Sequence, residues 1–574
     1  MSVRDVEQQV VAVAPEGGPD PLGDQRRGLI GAPISRLDGP LKVRGEARFA
    51  AEFPMDGMVY ASVAYSTVAR GRIATLDTSE AESATGVVLV MTHRNAPRIN
   101  AAPAFGTTPL AAAGSPLPVL QDDLVQWNGQ PIALVLAETL EQANHARSLI
   151  RATYETAPAV TSFEEAKAHA RQPEPFLGRE PVTRIGDAEV ALAAAPFAVD
   201  AVYRTPGHNH SAIEPHAVTV AWEGDDLIVH GAEQGVTHAA GTLAAVFGLA
   251  PEQVHVTSPY VGGGFGAKGV WDHHVLAAAA AKMAGRPVRL ALSREGVSRI
   301  VGGRAATEQR VAIGAQPDGR FDALIHTGVA AISRHSSLPE AFTAGTPTLY
   351  RSGSFDIGLR VADVDMVPNT FMRAPGEAVG SFALESAIDE LAERLGMDPI
   401  ELRIRNEPER DPTTGRAFSS RHLVEACRAG AERFGWERRG ATPRARREGE
   451  WLIGMGFAAT TFPYVRFPGG AARITLSRDG HATIEVAAHE MGMGTATAQT
   501  QVAAARLGLP LDHVRFVYGA SNLPGLVMAG GSQQTASIGA SVIAAQRALV
   551  TELLEFAGED SPLAGLGLDE IGCR

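Results

Sequence analysis

Apolar residues along this chain come in short runs, interrupted at close intervals by glycine and proline, so the pattern predicts many short elements. Residues 87–91 (Val-Val-Leu-Val-Met) and 131–136 (Pro-Ile-Ala-Leu-Val-Leu) have the length and continuity of buried strands. Residues 138–154 place Ala143, Ala146, Ile150 and Tyr154 at helical spacing and predict a helix. Further along, strands are predicted over 217–222, 227–230, 254–259 and 483–487. Helices are predicted over 238–247, 273–283, 378–395 and 541–556, with another starting at 496. The recurring unit is strand, glycine loop, helix, and the middle and last parts of the chain share it. Polar stretches at 156–187 (rich in Pro, Glu and Ala) and 437–450 (rich in Arg) divide the chain. The reading is an α+β protein with a flexible arm over 1–30 and units over 31–155, 188–436 and 451–574.

Composition narrows the class. With 574 residues, 45% hydrophobic and 20% charged, the chain is long enough for three or four cored domains and is neither disordered nor a coiled coil. No apolar run reaches the ~18–20 residues needed to cross a bilayer; the most apolar stretch, 274–285, is too short. A net charge of −13 argues against nucleic-acid binding. The N-terminal residues show no charged-then-apolar leader pattern. Cys427 and Cys573 are the only cysteines, too few for an iron–sulfur cluster or an all-cysteine zinc site. Any metal or redox centre must therefore be held another way.

Five stretches carry candidate chemistry. Val261-Gly-Gly-Gly-Phe-Gly-Ala-Lys-Gly269 follows a predicted strand and precedes a helix. It contains a formal dinucleotide fingerprint from Gly264 to Gly269, but Glu295 is a poor counterpart for the acidic residue expected about 20 positions on. Ala488-His-Glu-Met-Gly-Met-Gly-Thr495 and Met528-Ala-Gly-Gly-Ser-Gln-Gln-Thr-Ala-Ser537 also lead into helices and offer N–H groups and hydroxyls to an anion. Three such loops suggest one large ligand gripped from several sides. Asn369-Thr-Phe-Met-Arg-Ala-Pro-Gly-Glu-Ala-Val-Gly380 presents Arg373, able to clamp a carboxylate or oxyanion or to cap a helix; downstream, Arg403 and Arg405 share a face on a strand but splay apart on a helix. The fifth is Ile213-Glu-Pro-His216 with Gly231-Ala-Glu-Gln-Gly235. Gln234 can donate and accept, and His216, lacking a second ligand at metal spacing, reads as a buried structural histidine.

Together and in this order, GGGFGAK, MRAPGEA and EMGMG resemble the molybdenum-binding large subunit of the xanthine dehydrogenase / aldehyde oxidase family, over nearly the whole chain from Arg36. Residues 372–378 look most like the bacterial periplasmic-type aldehyde oxidoreductases. The resemblance implies an α/β hammerhead-like domain followed by two molybdopterin-binding α+β domains, the last incomplete. It implies that Gln234 hydrogen-bonds the metal's apical oxygen, that Gly264, Phe265 and Gly266 pack against the metal's ligands and the substrate, and that Arg373 orients the substrate or stabilises its developing charge. It further implies that Arg405 contacts pterin or phosphate, that Met491, Gly492 and Met493 line the pterin, and that Gly531, Ser532, Gln533, Gln534, Thr535, Ala536 and Ser537 hold its phosphates.

The cofactor so implied is a molybdopterin, of the cytosine dinucleotide form usual in bacteria, whose dithiolene rather than protein ligates molybdenum. The implied reaction is hydroxylation of an aldehyde or N-heteroaromatic carbon with oxygen from water. Electrons then pass to a 2Fe–2S small subunit and an FAD medium subunit, with no nucleic acid and no membrane span involved. Gly269, where purine-oxidising members carry glutamate, points towards aldehydes. The expected compartment is the cytoplasm, or the periplasm by co-export with a signal-bearing partner. The family's base glutamate has no counterpart here: Glu377 and Glu490 belong to other motifs, and 567–572 has the wrong context. The expectation is thus a truncated large subunit, inactive by itself. The alternatives are a non-catalytic remnant or assembly component, and a nicotinamide-dependent oxidoreductase using Gly264–Gly269.

Overall fold

The computed structural model describes residues 28–176, 178–463 and 469–558, and the backbone of 6–10. The largest sheet has seven strands, in the order Val254–Thr257, Asp226–Gly231, Ala217–Glu223, Val288–Ala291, Val59–Tyr65, Pro131–Ala137, Val87–Thr92. Val288 and Arg289 pair in parallel with Val59 and Tyr60, so the sheet runs straight across the expected boundary near residue 155. The alanine-rich helix Asp272–Ala284 is buried from Asp272 to Ala281. Its small side chains allow close approach to the sheet, and Trp222 donates its indole N–H to Ala278 O.

Most predicted elements form, with instructive exceptions. The helix expected over 138–154 spans only Leu140–Leu149. Arg151–Thr156 is instead a strand against Gly71–Asp77, because its alternating, β-branched sequence has a partner edge beside it. Within the arm expected to be flexible, Val6–Val10 pairs antiparallel with Gly470–Leu476 as an edge strand. Leu29 and Ile30 pack on the last domain's core. The expected linker 156–187 contains the short helix Phe163–Ala166 and the strand Val182–Ile185. The last helix, Gln534–Ala557, is longer than the sequence pattern predicts, and by length and composition alone it could cross a membrane. Here its apolar face packs on the sheet and helix of the final domain. Cys573 and residues 567–572 lie outside the described residues.

The shared grammar of the middle and last units is a shared topology. In the middle unit, Ala217–Glu223 and Asp226–Gly231 form a hairpin, helix Val236–Phe247 follows, and Val254–Thr257 returns parallel to the second hairpin strand. In the last unit, Gly470–Leu476 and Ala482–Glu485 form the hairpin, Thr495–Leu507 the helix, and Val514–Val517 the parallel return. Each unit thereby turns two loops outward at the carboxyl ends of a parallel strand pair, the usual place for a ligand in such sheets. Ser258 N–H donates to Gly519 O, 2.7 Å, so the two loop-bearing edges face each other.

A five-stranded sheet (Val182–Ile185, Ser354–Val364, Phe321–Ser333, Thr307–Ala315, Phe197–Thr205) is covered by helix Glu377–Leu395. Beneath that helix the fully buried Arg403 donates to Glu385, 2.7 Å, and to Asp389, 2.9 Å. Glu385 also accepts from Tyr350 Oη–H and Ala459 N–H. Glu385→Ala strands a buried guanidinium. It is expected to cost about 3–5 kcal/mol in denaturant unfolding, with much of the loss recovered in a Glu385→Ala/Arg403→Met double variant. A loss under about 1 kcal/mol would show that the charge is not confined.

Candidate cofactor and active site

The five chemistry-bearing stretches meet around one buried amide. Gln234 follows the hairpin strand Asp226–Gly231 and precedes helix Val236–Phe247. Its Oε1 accepts from Gly266 N–H, 2.9 Å, and Lys268 N–H, 3.2 Å, while its Nε2 donates to Ala529 O, 2.7 Å. One amide hydrogen of Nε2 remains beyond these bonds. Val261 N–H donates to Glu490 O, and Arg373 N–H to Phe265 O, so the 261–269 loop also touches the 488–495 and 369–380 loops.

Gly266 has φ +106°, and a Cβ there would lie 2.3 Å from Phe371 O; at Gly264 it would strike the Gln234 side chain at 2.5 Å. Only glycine lets the two loops approach so closely. Phe265 sits between them at φ 56° with its ring 40% exposed, so it is presented as a wall and not packed away. Arg373 is exposed, and among the described residues its guanidinium has no acidic partner. The turn that carries it is cross-tied by Arg304, whose guanidinium donates to Met372 O and Arg373 O, and by Glu340, which accepts from Gly376 N–H, 2.6 Å. Burial pushes the Glu340 carboxyl up to about 7. His210 donates to Phe371 O, 2.6 Å. Sequence reasoning passed over Arg304, Glu340 and His210; the Gly302-Gly303 pair before Arg304 was the available signal, since a Cβ at Gly302 would lie 1.9 Å from Pro368 O.

In the 488–495 loop, Met491, Gly492 and Met493 lie at the surface of the cleft. Glu490 beneath them accepts from Gly492 N–H and Thr495 N–H and pairs with Arg36 at 2.9 Å. At the start of helix Gln534–Ala557, Gly531, Ser532, Thr535 and Ala536 are exposed, with no acidic residue in the first turn. Gln533 and Gln534, expected on the ligand side, instead turn inward. Gln533 bonds Met528 O and Ser537, and Gln534 holds both the backbone and the ring of His489. They are the buried positions of the helix's first turn.

Arg405 is not at the site. On helix Pro399–Arg405 it donates to Asp318 O, at the turn joining Thr307–Ala315 to Phe321–Ser333. That is the opposite end of strands whose near end lies by Gly303 and Thr370, a strand length of about 30 Å away. The dinucleotide reading of Gly264–Gly269 also loses its geometry. The helix begins only at Asp272, with that buried carboxylate in its first turn, where a phosphate would need free N–H groups. Glu295 lies on a helix, paired with Arg299.

Residues 44–158 match the aldehyde oxidase and xanthine dehydrogenase a/b hammerhead domain, and residues 169–407 and 429–568 match two molybdopterin cofactor-binding domains. The aldehyde oxidoreductase molybdenum-binding subunit PaoC of Escherichia coli K12 is 36% identical over 95% of this chain and 73% of its own length. The chain belongs to the molybdenum-binding large subunits of the xanthine dehydrogenase / aldehyde oxidase family. The putative xanthine dehydrogenase subunit XdhA of the same organism is 28% identical over 84% of this chain and 66% of its own. The fold of the Desulfovibrio gigas aldehyde oxidoreductase superposes with a TM-score of 0.74 at 24% identity, over 90% of this chain and 60% of that one.

The residues present fit a molybdopterin. Among the described residues no group of three or more His, Cys, Asp or Glu side chains could ligate a metal. Cys427 is buried in helix Leu423–Phe434 and acts as a small core residue. A Cβ at Gly492 or Gly530 would meet only open space, as a cradle for a bulky ligand requires.

His489 ties two of the loops: its ring accepts from Val236 N–H, 2.8 Å, and donates to Gln534, 3.0 Å. Burial lowers its pKa to about 4. The folded chain thus binds fewer protons than the unfolded one between roughly pH 4 and 6.5. The stability His489 contributes is full above that window and is lost as pH falls through it, by about 1.4 kcal/mol per unit. The denaturation midpoint of His489→Gln is expected to fall less steeply than the wild type's between pH 6.5 and 4.5; equal slopes would refute this role.

Proposed function

We propose that this chain is the molybdenum-binding subunit of an oxidoreductase that converts aldehydes to carboxylic acids with water as oxygen source, passing electrons to iron–sulfur and flavin subunits. The observation that carries the reading is the convergence of five glycine-bearing loops on Gln234, Phe265 and an Arg373 guanidinium without an acidic partner. When bound, the molybdopterin supplies the redox-active metal and the site for oxygen transfer. The cytosine dinucleotide form is part of the proposal, as is a cytoplasmic or co-exported periplasmic location.

The chain's own residues bind and orient. The remaining Nε2 hydrogen of Gln234 would be free to donate to an acceptor of the bound cofactor. Phe265 walls the site and excludes water. Met491, Gly492 and Met493 line the pterin, and Gly531, Ser532, Thr535 and Ala536 offer N–H and hydroxyl groups to its phosphates at the positive end of a helix, whereas Ser537 gives both its N–H and its hydroxyl to Gln533. Arg373 holds the substrate oxygen and balances the charge that grows on it, its turn kept rigid by Arg304 and Glu340. The nearby glutamates are committed elsewhere: Glu490 to Arg36, Glu340 to Gly376 and Glu377 to Arg179. An aldehyde substrate is favoured over a heteroaromatic one by the likeness to PaoC and by Gly269 beside Lys268.

Purified from a host able to make the cofactor, the chain is expected to hold one molybdenum and one pterin. Absence of both molybdenum and pterin would overturn the cofactor reading. Arg373→Met is expected to weaken benzoate binding to the loaded chain by about 10–100-fold in calorimetry, with pterin content unchanged; equal affinity would remove Arg373 from the substrate site.

A further inference from the structure

The Ile213-Glu-Pro-His216 stretch contributes nothing to the roles assigned so far, yet two of its side chains reach the 261–269 loop. Glu214 Oε2 accepts from Gly262 N–H, 2.7 Å, at the start of the loop, and from the Lys268 ammonium, 2.5 Å, at its end. Glu214 N–H returns a bond to Gly262 O, and Glu214 Oε1 accepts from Ala50 N–H, 3.3 Å. His216 donates to Ala267 O, 3.1 Å, inside the same loop. The Lys268 side chain is 0% exposed and that of Glu214 12%. One carboxylate therefore closes the loop into a ring, and Gln234 fills the ring from within through Gly266 N–H and Lys268 N–H.

We infer that Glu214 and Lys268 form a clasp that positions Phe265 and the backbone of residues 262–268 against the molybdenum centre. Glu214 and Lys268 are positioning residues and touch neither substrate nor cofactor. The need for a clasp follows from the loop's composition. Four of its first six residues, Gly262, Gly263, Gly264 and Gly266, are glycine, the residue that loses most conformational freedom on ordering, and Phe265 is held at φ 56°, where a side chain is strained. A loop of this kind keeps a single shape only if side chains from elsewhere fix it. Besides its backbone bonds, among them those to Glu490 O and Arg373 N–H, the loop is tied by the side chains of Glu214, His216 and Gln234, all distant in sequence. The lysine makes the clasp costly to open, because its ammonium has no exposure to water and Glu214 is its hydrogen-bonded partner. An error of about 1 Å in such a wall is enough to cost about 10²-fold in a reaction that depends on alignment.

This inference rests on the molybdenum reading of the loop, and its test separates the two. In the unloaded chain, Glu214→Ala is expected to speed amide hydrogen exchange across residues 261–269 at least about tenfold while leaving the helix segment 383–392 unchanged. Lys268→Met should do less, since Glu214 still holds Gly262 and Ala50. The double variant should exchange more slowly than the two single effects combined predict. In the loaded, dithionite-reduced chain, Glu214→Ala is expected to shift the g-values of the Mo(V) electron paramagnetic resonance signal. The clasp is overturned if exchange over 261–269 is unaltered, if it rises equally over 383–392, or if the two substitutions combine additively. It is also overturned if the Mo(V) signal of the loaded variant is that of the wild type. A wild-type chain that takes up no molybdenum would refute the cofactor reading alone, with the exchange arm still deciding whether the clasp exists.

Discussion

The side-chain amide of Gln234 is the point on which the site's geometry depends. It is buried, and it joins the two halves of the molecule that carry ligand loops: its oxygen holds the 261–269 loop of the middle domain, and its nitrogen holds Ala529 of the last. Hydrogen bonds in such a place are individually modest, but leaving these groups unpaired away from water costs far more than the bonds gain. The two domains are therefore held in one register, and a cleft between them keeps one shape.

Around that amide the architecture works by duplication. Two units with the same hairpin, helix and parallel return strand face each other across the Ser258–Gly519 contact, each contributing two loops at the carboxyl ends of its parallel strands. The Arg373 turn arrives from the five-stranded sheet side as a fifth element. A ligand reached by so many loops can be large and still be gripped through backbone N–H groups. This agrees with a cofactor that brings its own metal ligands, and with a protein whose cysteines and histidines form no ligand group among the described residues.

Charge is placed with equal economy. The cations nearest the loops, Arg36, Arg304 and Lys268, are each tied to a carboxylate or to carbonyl oxygens that shape a loop. Arg373 is the one with no such tie among the described residues, and it is exposed.

Much of this protein was decided by sequence alone. Strand-length apolar runs, the strand–glycine loop–helix grammar and the three-motif combination of GGGFGAK, MRAPGEA and EMGMG identified the fold class and the family. These features are local, and local patterns need no partner to be read. The tertiary structure decided whatever depended on which surface a residue meets. Arg151–Thr156 became a strand because Gly71–Asp77 offered an edge, the first sheet crossed the apparent domain boundary, and Gln533 and Gln534 turned inward to brace His489 and Met528. Arg405 fell a strand length from the cleft, because its helix lies by the turn at Asp318, at the far end of the five-stranded sheet. Glu214 and Lys268 lie 54 positions apart and meet only because the sheet brings the ends of their strands together. No spacing rule records a contact of that kind, since its distance along the chain is set by the fold and not by any repeat.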